Sequence, residues 1–152
     1  MKIKRNLISI LLIILSFFSP SGYEAFKDWD GADIITYLPL DTKKNAKDFL
    51  DIMKPQVVLF IKYEFWLNFL FELKKRKIKT YLVSAVFKNR HAFFKWYGGI
   101  FRKSLSSFEL LMVQDKFSEQ LLNEIQINNT KVCGDTRFDR VLEVKKKFSE
   151  IE

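Results

Sequence analysis

Six short apolar runs, separated by stretches of helical spacing and turn formers, decide what this 152-residue chain can fold into. The runs are 7–18, 33–38, 57–61, 80–85, 110–113 and 130–133. Short unbroken runs of β-branched and apolar residues are what strands buried on both faces look like. Between and after them, the spacing predicts helices over 21–28, 43–53, 65–75, 90–105, 116–125 and 138–148. Thr42 and Asp115 stand where N-caps belong, and Lys54-Pro55 ends the second helix. Gly98-Gly99 is a weak spot in the fourth. Strand and helix alternating in this way predict an α/β fold: a Rossmann-like parallel sheet with flanking helices. Such sheets bind ligands beyond the carboxyl ends of their strands. A site is therefore expected in the loops at 19–22, 38–42, 62–66, 85–91, 113–116 and 134–138.

Composition narrows the class further. Hydrophobic residues make up 48% of the chain, which supports one domain with a real core and argues against global disorder. One Cys (Cys133) and one His (His91) exclude a disulfide framework and a His/Cys zinc site within the chain. The chain holds no GxGxxG and no Walker A motif.

The net charge of +8 is concentrated in one place. Residues 71–103 hold ten Lys and Arg against Glu72 alone. A field of this kind attracts phosphate groups, nucleic acid or an anionic lipid surface. For Lys74–Lys79 alone a solvated helix end is the favoured reading, because cations suit a helix C-terminus. Within 87–103, six aromatic residues (Phe87, Phe93, Phe94, Trp96, Tyr97, Phe101) interleave with basic ones. That is the makeup of an interfacial membrane helix. It also suits stacking on single-stranded nucleic acid, or a core-facing aromatic stripe with a basic outer face.

The N-terminus reads two ways. A basic start (Met1 to Arg5) before the apolar run 7–18 imitates a signal peptide. The same run, ended by Ser19-Pro20-Ser21-Gly22, reads as a buried parallel strand. It is shorter than the roughly 20 residues of a transmembrane helix.

Three loops carry candidate chemistry. In 19–24, two hydroxyls and Gly22 precede a helix, as an anion site or as an ordinary cap. In 62–68, Glu64 follows the most apolar strand beside aromatics. It can accept from sugar hydroxyls or pair with a cation, or it caps the next helix while Trp66 joins the core. In 134–140, Arg137 can grip a phosphate or carboxylate, or be held by Asp135 and Asp139.

Taken together, the segments Ser19-Pro20-Ser21-Gly22-Tyr23-Glu24, Tyr37-Leu38-Pro39-Leu40-Asp41-Thr42, Lys62-Tyr63-Glu64-Phe65-Trp66-Leu67-Asn68 and Gly134-Asp135-Thr136-Arg137-Phe138-Asp139 resemble the N-terminal domain of 3-deoxy-D-manno-octulosonic acid (Kdo) transferases. The resemblance covers about 11–141, leaving 1–10 as a non-matching extension and 142–152 as a helix end or the start of a linker. It implies an inverting glycosyltransferase of the two-domain glycosyltransferase B fold, acting in lipopolysaccharide synthesis. Kdo passes from CMP-Kdo to a lipid A precursor at the cytoplasmic face of the inner membrane, with no metal and no cofactor. The N-terminal domain takes the acceptor, and the C-terminal domain takes the nucleotide sugar. By this resemblance Glu64 matches the acceptor-site Glu of an E-x-W motif. Arg137 stands where many members have Lys in G-x-x-K-F-D. Ser19, Ser21 and Gly22 match the loop before the second helix. Lys88, Arg90, Phe93, Phe94, Lys95, Trp96, Arg102 and Lys103 fall in the region that approaches the membrane. The resemblance favours a strand over a signal peptide at 11–18.

The family's general base, a Glu in a Ser-x-Gly-Glu motif, has no counterpart in this sequence, and no donor domain is seen. The expectation is therefore an incomplete N-terminal half, inactive alone, with a second chain among its implied partners. The alternative expectation is a non-enzymatic basic module that binds nucleic acid or anionic membrane through 71–103.

Overall fold

A computed structural model describes residues 12–135. They form two compact units, divided between Leu40 and Asp41.

In the first unit, strand β1 (Ile14–Phe17) runs parallel to β2 (Ile34–Tyr37), with α1 (Pro20–Phe26) between them in sequence. Ser19 starts α1: its Oγ accepts from the Gly22 N–H at 3.1 Å, and Pro20 follows where no backbone donor is needed. Tyr23 and Tyr37 stack at 4.1 Å, and Phe17 and Phe26 at 5.5 Å. Within the described part of the 7–18 run, Ile14–Phe17 is thus a strand, paired in register from Ile14↔Ile34 to Phe17↔Tyr37.

The second unit opens with α2 (Lys43–Met53) and continues as β3 (Val57–Ile61), α3 (Leu67–Lys75), β4 (Lys79–Ala85), a 3₁₀ turn at Ala92–Phe94, α4 (Gly99–Leu105), β5 (Leu110–Val113), α5 (Lys116–Glu124) and β6 (Thr130–Val132). Its sheet is wholly parallel, in the order β3-β4-β5-β6. Thr42 Oγ1 accepts from the Asn45 N–H, and Asp115 Oδ1 from the Ser118 N–H, so both expected caps are present. Lys54 closes α2 in the left-handed region (φ 44°) just before Pro55. Ala46, Leu70, Leu82, Leu105, Leu111, Val113 and Leu122 are fully buried. On β3, Phe60 faces this core, while Val57, Leu59 and Ile61 alternate to the other face and stay exposed.

Three expectations need correction. The single sheet is two: β1 pairs with β2, whereas β3 pairs forward with β4. The third helix starts at Leu67, not at 65. Its first free N–H groups are met by Asp41, whose carboxylate accepts from the Asn68 N–H at 3.0 Å and the Phe69 N–H at 3.3 Å. The Asn68 side chain returns a bond to the Asp41 carbonyl at 2.8 Å. The expected helix over 90–105 is broken into the 3₁₀ turn and α4. The physical cause is the close approach of the Ala92 carbonyl to Gly98, where a Cβ would lie 1.9 Å from the oxygen.

Asp41→Ala removes a cap donated from far along the chain. It is expected to cost about 0.5–2 kcal/mol, the usual range for a lost cap, read as a lower urea midpoint at unchanged slope. An unchanged midpoint would show that solvent serves the α3 terminus as well as Asp41 does.

Candidate functional site

The carboxyl ends of β3, β4 and β5 deliver three loops to one edge of the second unit. Lys62, directly after β3, sits at φ 63° and donates its N–H to the Val83 carbonyl at 2.8 Å. This fixes where the next residues start. Glu64 is exposed, and its Oε2 accepts from the Trp66 indole N–H at 2.7 Å. Glu64 therefore does not cap α3; Asp41 does. Trp66 is half-buried and meets Phe69 edge-on at 6.4 Å. The indole holds one carboxylate oxygen and leaves the carboxylate open to solvent.

Next to Glu64, Tyr63 lies against the His91 ring at 4.5 Å, and burial raises the Tyr63 hydroxyl above its ordinary range. Phe65 packs on Phe87, Phe93 and Phe108. Ser84, near the end of β4, is buried in the left-handed region (φ 57°), where the β4–β5 register shifts. Gln114 Nε2 donates to its carbonyl at 2.9 Å, and Ser118 Oγ accepts from the Phe87 N–H at 2.8 Å. The loop after β4 is thereby tied to the start of α5.

The basic-aromatic segment divides sharply. Phe93 is 1% exposed and belongs to the core, so its expected place on a membrane-facing surface is corrected. Phe94 is half-buried against Phe87 and Phe93. Arg102 is engaged within the fold: its Nη1 donates to the carbonyls of Phe93 (3.0 Å) and Lys95 (2.8 Å). Trp96, by contrast, is 93% exposed, and Tyr97 and Ile100 are more than half exposed. Lys88, Arg90 and Lys103 are exposed, and Lys95 is partly so. The earlier part of the basic run is partly neutralised. Arg76 pairs with Glu72 (2.9 Å) and Asp51 (2.8 Å), and Lys74 donates to Ser106 Oγ at 2.7 Å.

In the first unit, Ser19 Oγ serves as the α1 cap and lies 3.4 Å from Ser21 Oγ. Gly22 is packed by Phe17, whose ring carbon would lie 2.8 Å from an added Cβ. Arg137 lies outside the described residues. Among the described residues, no group of three His, Cys, Asp or Glu gathers to hold a metal ion, and no helix is long and apolar enough to cross a membrane. Asp41 as the cap of α3 carries no signal in the sequence beyond its place directly before the Thr42 cap.

The family described as 3-deoxy-D-manno-octulosonic-acid transferase (kdotransferase) matches residues 3–140. The chain belongs to this family. Its relatives include the 3-deoxy-D-manno-octulosonic acid transferase of Aquifex aeolicus, 28% identical over 128 residues, which are 83% of this chain and 33% of the relative. The enzyme of the same description from Chlamydia muridarum is 32% identical over 99 residues, covering 62% of this chain and 22% of the relative. A bifunctional glycosyltransferase/methyltransferase of Fusobacterium nucleatum is 24% identical over 146 residues, or 92% of this chain and 22% of the relative. The chain thus spans about a third or less of the length of these relatives. Two parallel sheets flanked by helices fit a Rossmann-like glycosyltransferase N-terminal half.

Proposed function

We propose that this chain supplies the acceptor-binding half of a Kdo transfer reaction, in which Kdo passes from CMP-Kdo to a lipid A precursor. The observation that carries the reading is Glu64. It is an exposed carboxylate at the carboxyl end of β3, aimed by a 2.7 Å bond from Trp66, in a chain of the kdotransferase family. A carboxylate fixed in this way accepts hydrogen bonds from sugar hydroxyls and holds the acceptor in place. Arg137, Ser19, Ser21 and Gly22 are proposed as further acceptor contacts. Arg137 answers the phosphate of the acceptor, and Ser19, Ser21 and Gly22 offer hydroxyls and backbone at the start of α1, where Ser19 is the cap and Ser21 and Gly22 stand in the first turn. The donor CMP-Kdo is assigned to a partner domain or second chain. We place it peripherally at the cytoplasmic face of the inner membrane, with Lys88, Arg90, Phe94, Lys95, Trp96 and Lys103 as the membrane contacts.

The test uses a complete enzyme that carries this acceptor half. Glu64→Gln keeps an oxygen for the Trp66 indole but removes the charge. It is expected to lower kcat/KM for the lipid acceptor by about 10–100-fold, the worth of a hydrogen bond to a charged group. The melting temperature and the KM for CMP-Kdo should hold. Unchanged acceptor kinetics would overturn the assignment of Glu64.

A further inference from the structure

We propose that His91 is a proton-linked latch on the basic-aromatic loop, so that protonation of its imidazole tightens docking of Lys88, Arg90 and Trp96 on an anionic lipid surface. The inference rests on the membrane contact proposed above and adds its regulation.

The geometry is specific. Residues 88–91 form a turn closed twice. The His91 N–H donates to the Lys88 carbonyl at 2.9 Å, and the Lys88 N–H donates to His91 Nδ1 at 3.2 Å. The second bond exists only while Nδ1 is an acceptor, so in this turn the imidazole is neutral, with its proton on Nε2. The ring lies 4.5 Å from Tyr63 and 6.5 Å from Phe87. The titratable and charged groups that face it are Tyr63 from the loop after β3, and Lys88 and Arg90 from its own turn. Tyr63 stays neutral at physiological pH, since burial pushes its hydroxyl up. Burial first, then Arg90 and Lys88, hold His91 below its ordinary 6.5.

Charge and apolar anchors share this loop. Between Phe87 and Lys103 there is no acidic residue. Trp96 projects almost entirely into solvent, with Tyr97 edge-on to it at 5.6 Å. An exposed Trp–Tyr pair among Lys and Arg matches the interfacial zone of a membrane with anionic headgroups.

The sign follows from the groups. In the free chain, a third cation beside Lys88 and Arg90 is disfavoured, and it also breaks the bond from the Lys88 N–H. Against an anionic surface the repulsion is offset, so the imidazole pKa rises on docking. By linkage, affinity for that surface rises as pH falls through the window between the docked and free values. One added cation near such a surface strengthens binding by about fivefold.

The single His gives the chain one imidazole signal, so its titration can be followed by NMR without assignment. The experiment titrates the chain alone, with phosphatidylglycerol/phosphatidylcholine vesicles, and with phosphatidylcholine vesicles. Cosedimentation is measured in parallel at pH 5.5 and 7.5. The expected result is a His91 pKa below 6.5 in the free chain, raised only by the anionic vesicles, with binding about fivefold tighter at the lower pH. His91→Asn places an oxygen where Nδ1 stood and does not titrate; it is expected to bind equally at both pH values. Trp96→Ser is expected to weaken binding at both while keeping the pH ratio. Binding to anionic vesicles with no pH ratio, or with a ratio that His91→Asn retains, would overturn the latch and leave the membrane surface standing. Failure to bind anionic vesicles at either pH would overturn both. A pKa rise reproduced in full by inorganic phosphate alone would make this a small-anion site and overturn the lipid assignment.

Discussion

Phe87→Ala is expected to destabilise the second unit by about 3–5 kcal/mol, the range for truncating a fully buried aromatic. Phe87 is 0% exposed. Its ring meets Phe65 at 5.9 Å, Phe93 at 5.6 Å and Phe94 at 6.2 Å. Its backbone N–H is bound to Ser118 on α5. The residue therefore sits where the loop after β3, the loop after β4 and the start of α5 meet. Removing the ring leaves a cavity between elements that are each held elsewhere, so collapse into it is limited. A loss of this size is a large part of the 5–15 kcal/mol typical of a whole domain. Urea unfolding followed by circular dichroism reads it directly. A loss below about 1 kcal/mol would mean that the neighbouring rings close over the gap, against the packing described.

Gly98→Ala carries the second large effect, by the opposite mechanism. The added Cβ would lie 1.9 Å from the Ala92 carbonyl oxygen and 3.0 Å from that of Lys95. Both obstacles are backbone, and the Lys95 carbonyl already accepts from the Gly98 N–H at 2.9 Å and from Arg102 at 2.8 Å. Neither can rotate aside as a side chain would. The expected cost is about 1–3 kcal/mol, the usual range for forced overpacking. Gly99→Ala is the control, since nothing stands within 4 Å of its Cβ position. Alanine also suits a helix better than glycine, so Gly99→Ala should be neutral or stabilising. Equal losses at both positions would show that the backbone approach at Gly98 is not what shapes this turn.

The local elements were readable because their signals are local. Thr42 and Asp115 each cap their own helix within three residues, and the run Val57–Ile61 became β3 without change. The broken segment shows where this ends. Alternating Phe, Trp and Lys after His91 has helical spacing, but Gly98 and the Ala92 carbonyl, six residues apart, settle the backbone instead. The α3 start moved because its cap, Asp41, comes from the far side of β3. The division into two sheets is likewise a matter of which strand each edge meets. At the candidate site, Glu64 stood at the strand end that the pattern placed it on. Its bond to the Trp66 indole was not readable, since a cap and a core tryptophan fitted the same letters. Phe93 and Trp96, three residues apart and alike in character, parted into core and solvent because the 3₁₀ turn ends at Phe94 and the extended backbone at Lys95 carries the next residue off the face that Phe93 buries.

The order of the larger sheet also bears on how the chain folds as it is made. Each strand pairs with the next one in sequence, so Val57 meets Lys79, Tyr81 meets Leu110, and Leu111 meets Thr130. Parallel neighbours need a crossover, so no strand finds its partner until the intervening helix or turn has been synthesised. Each newly emerged strand can then add to an edge already in place, and none has to insert between two others. The sheet can therefore grow outward from β3 in the direction of translation, which eases the kinetic cost that long-range parallel pairing otherwise imposes.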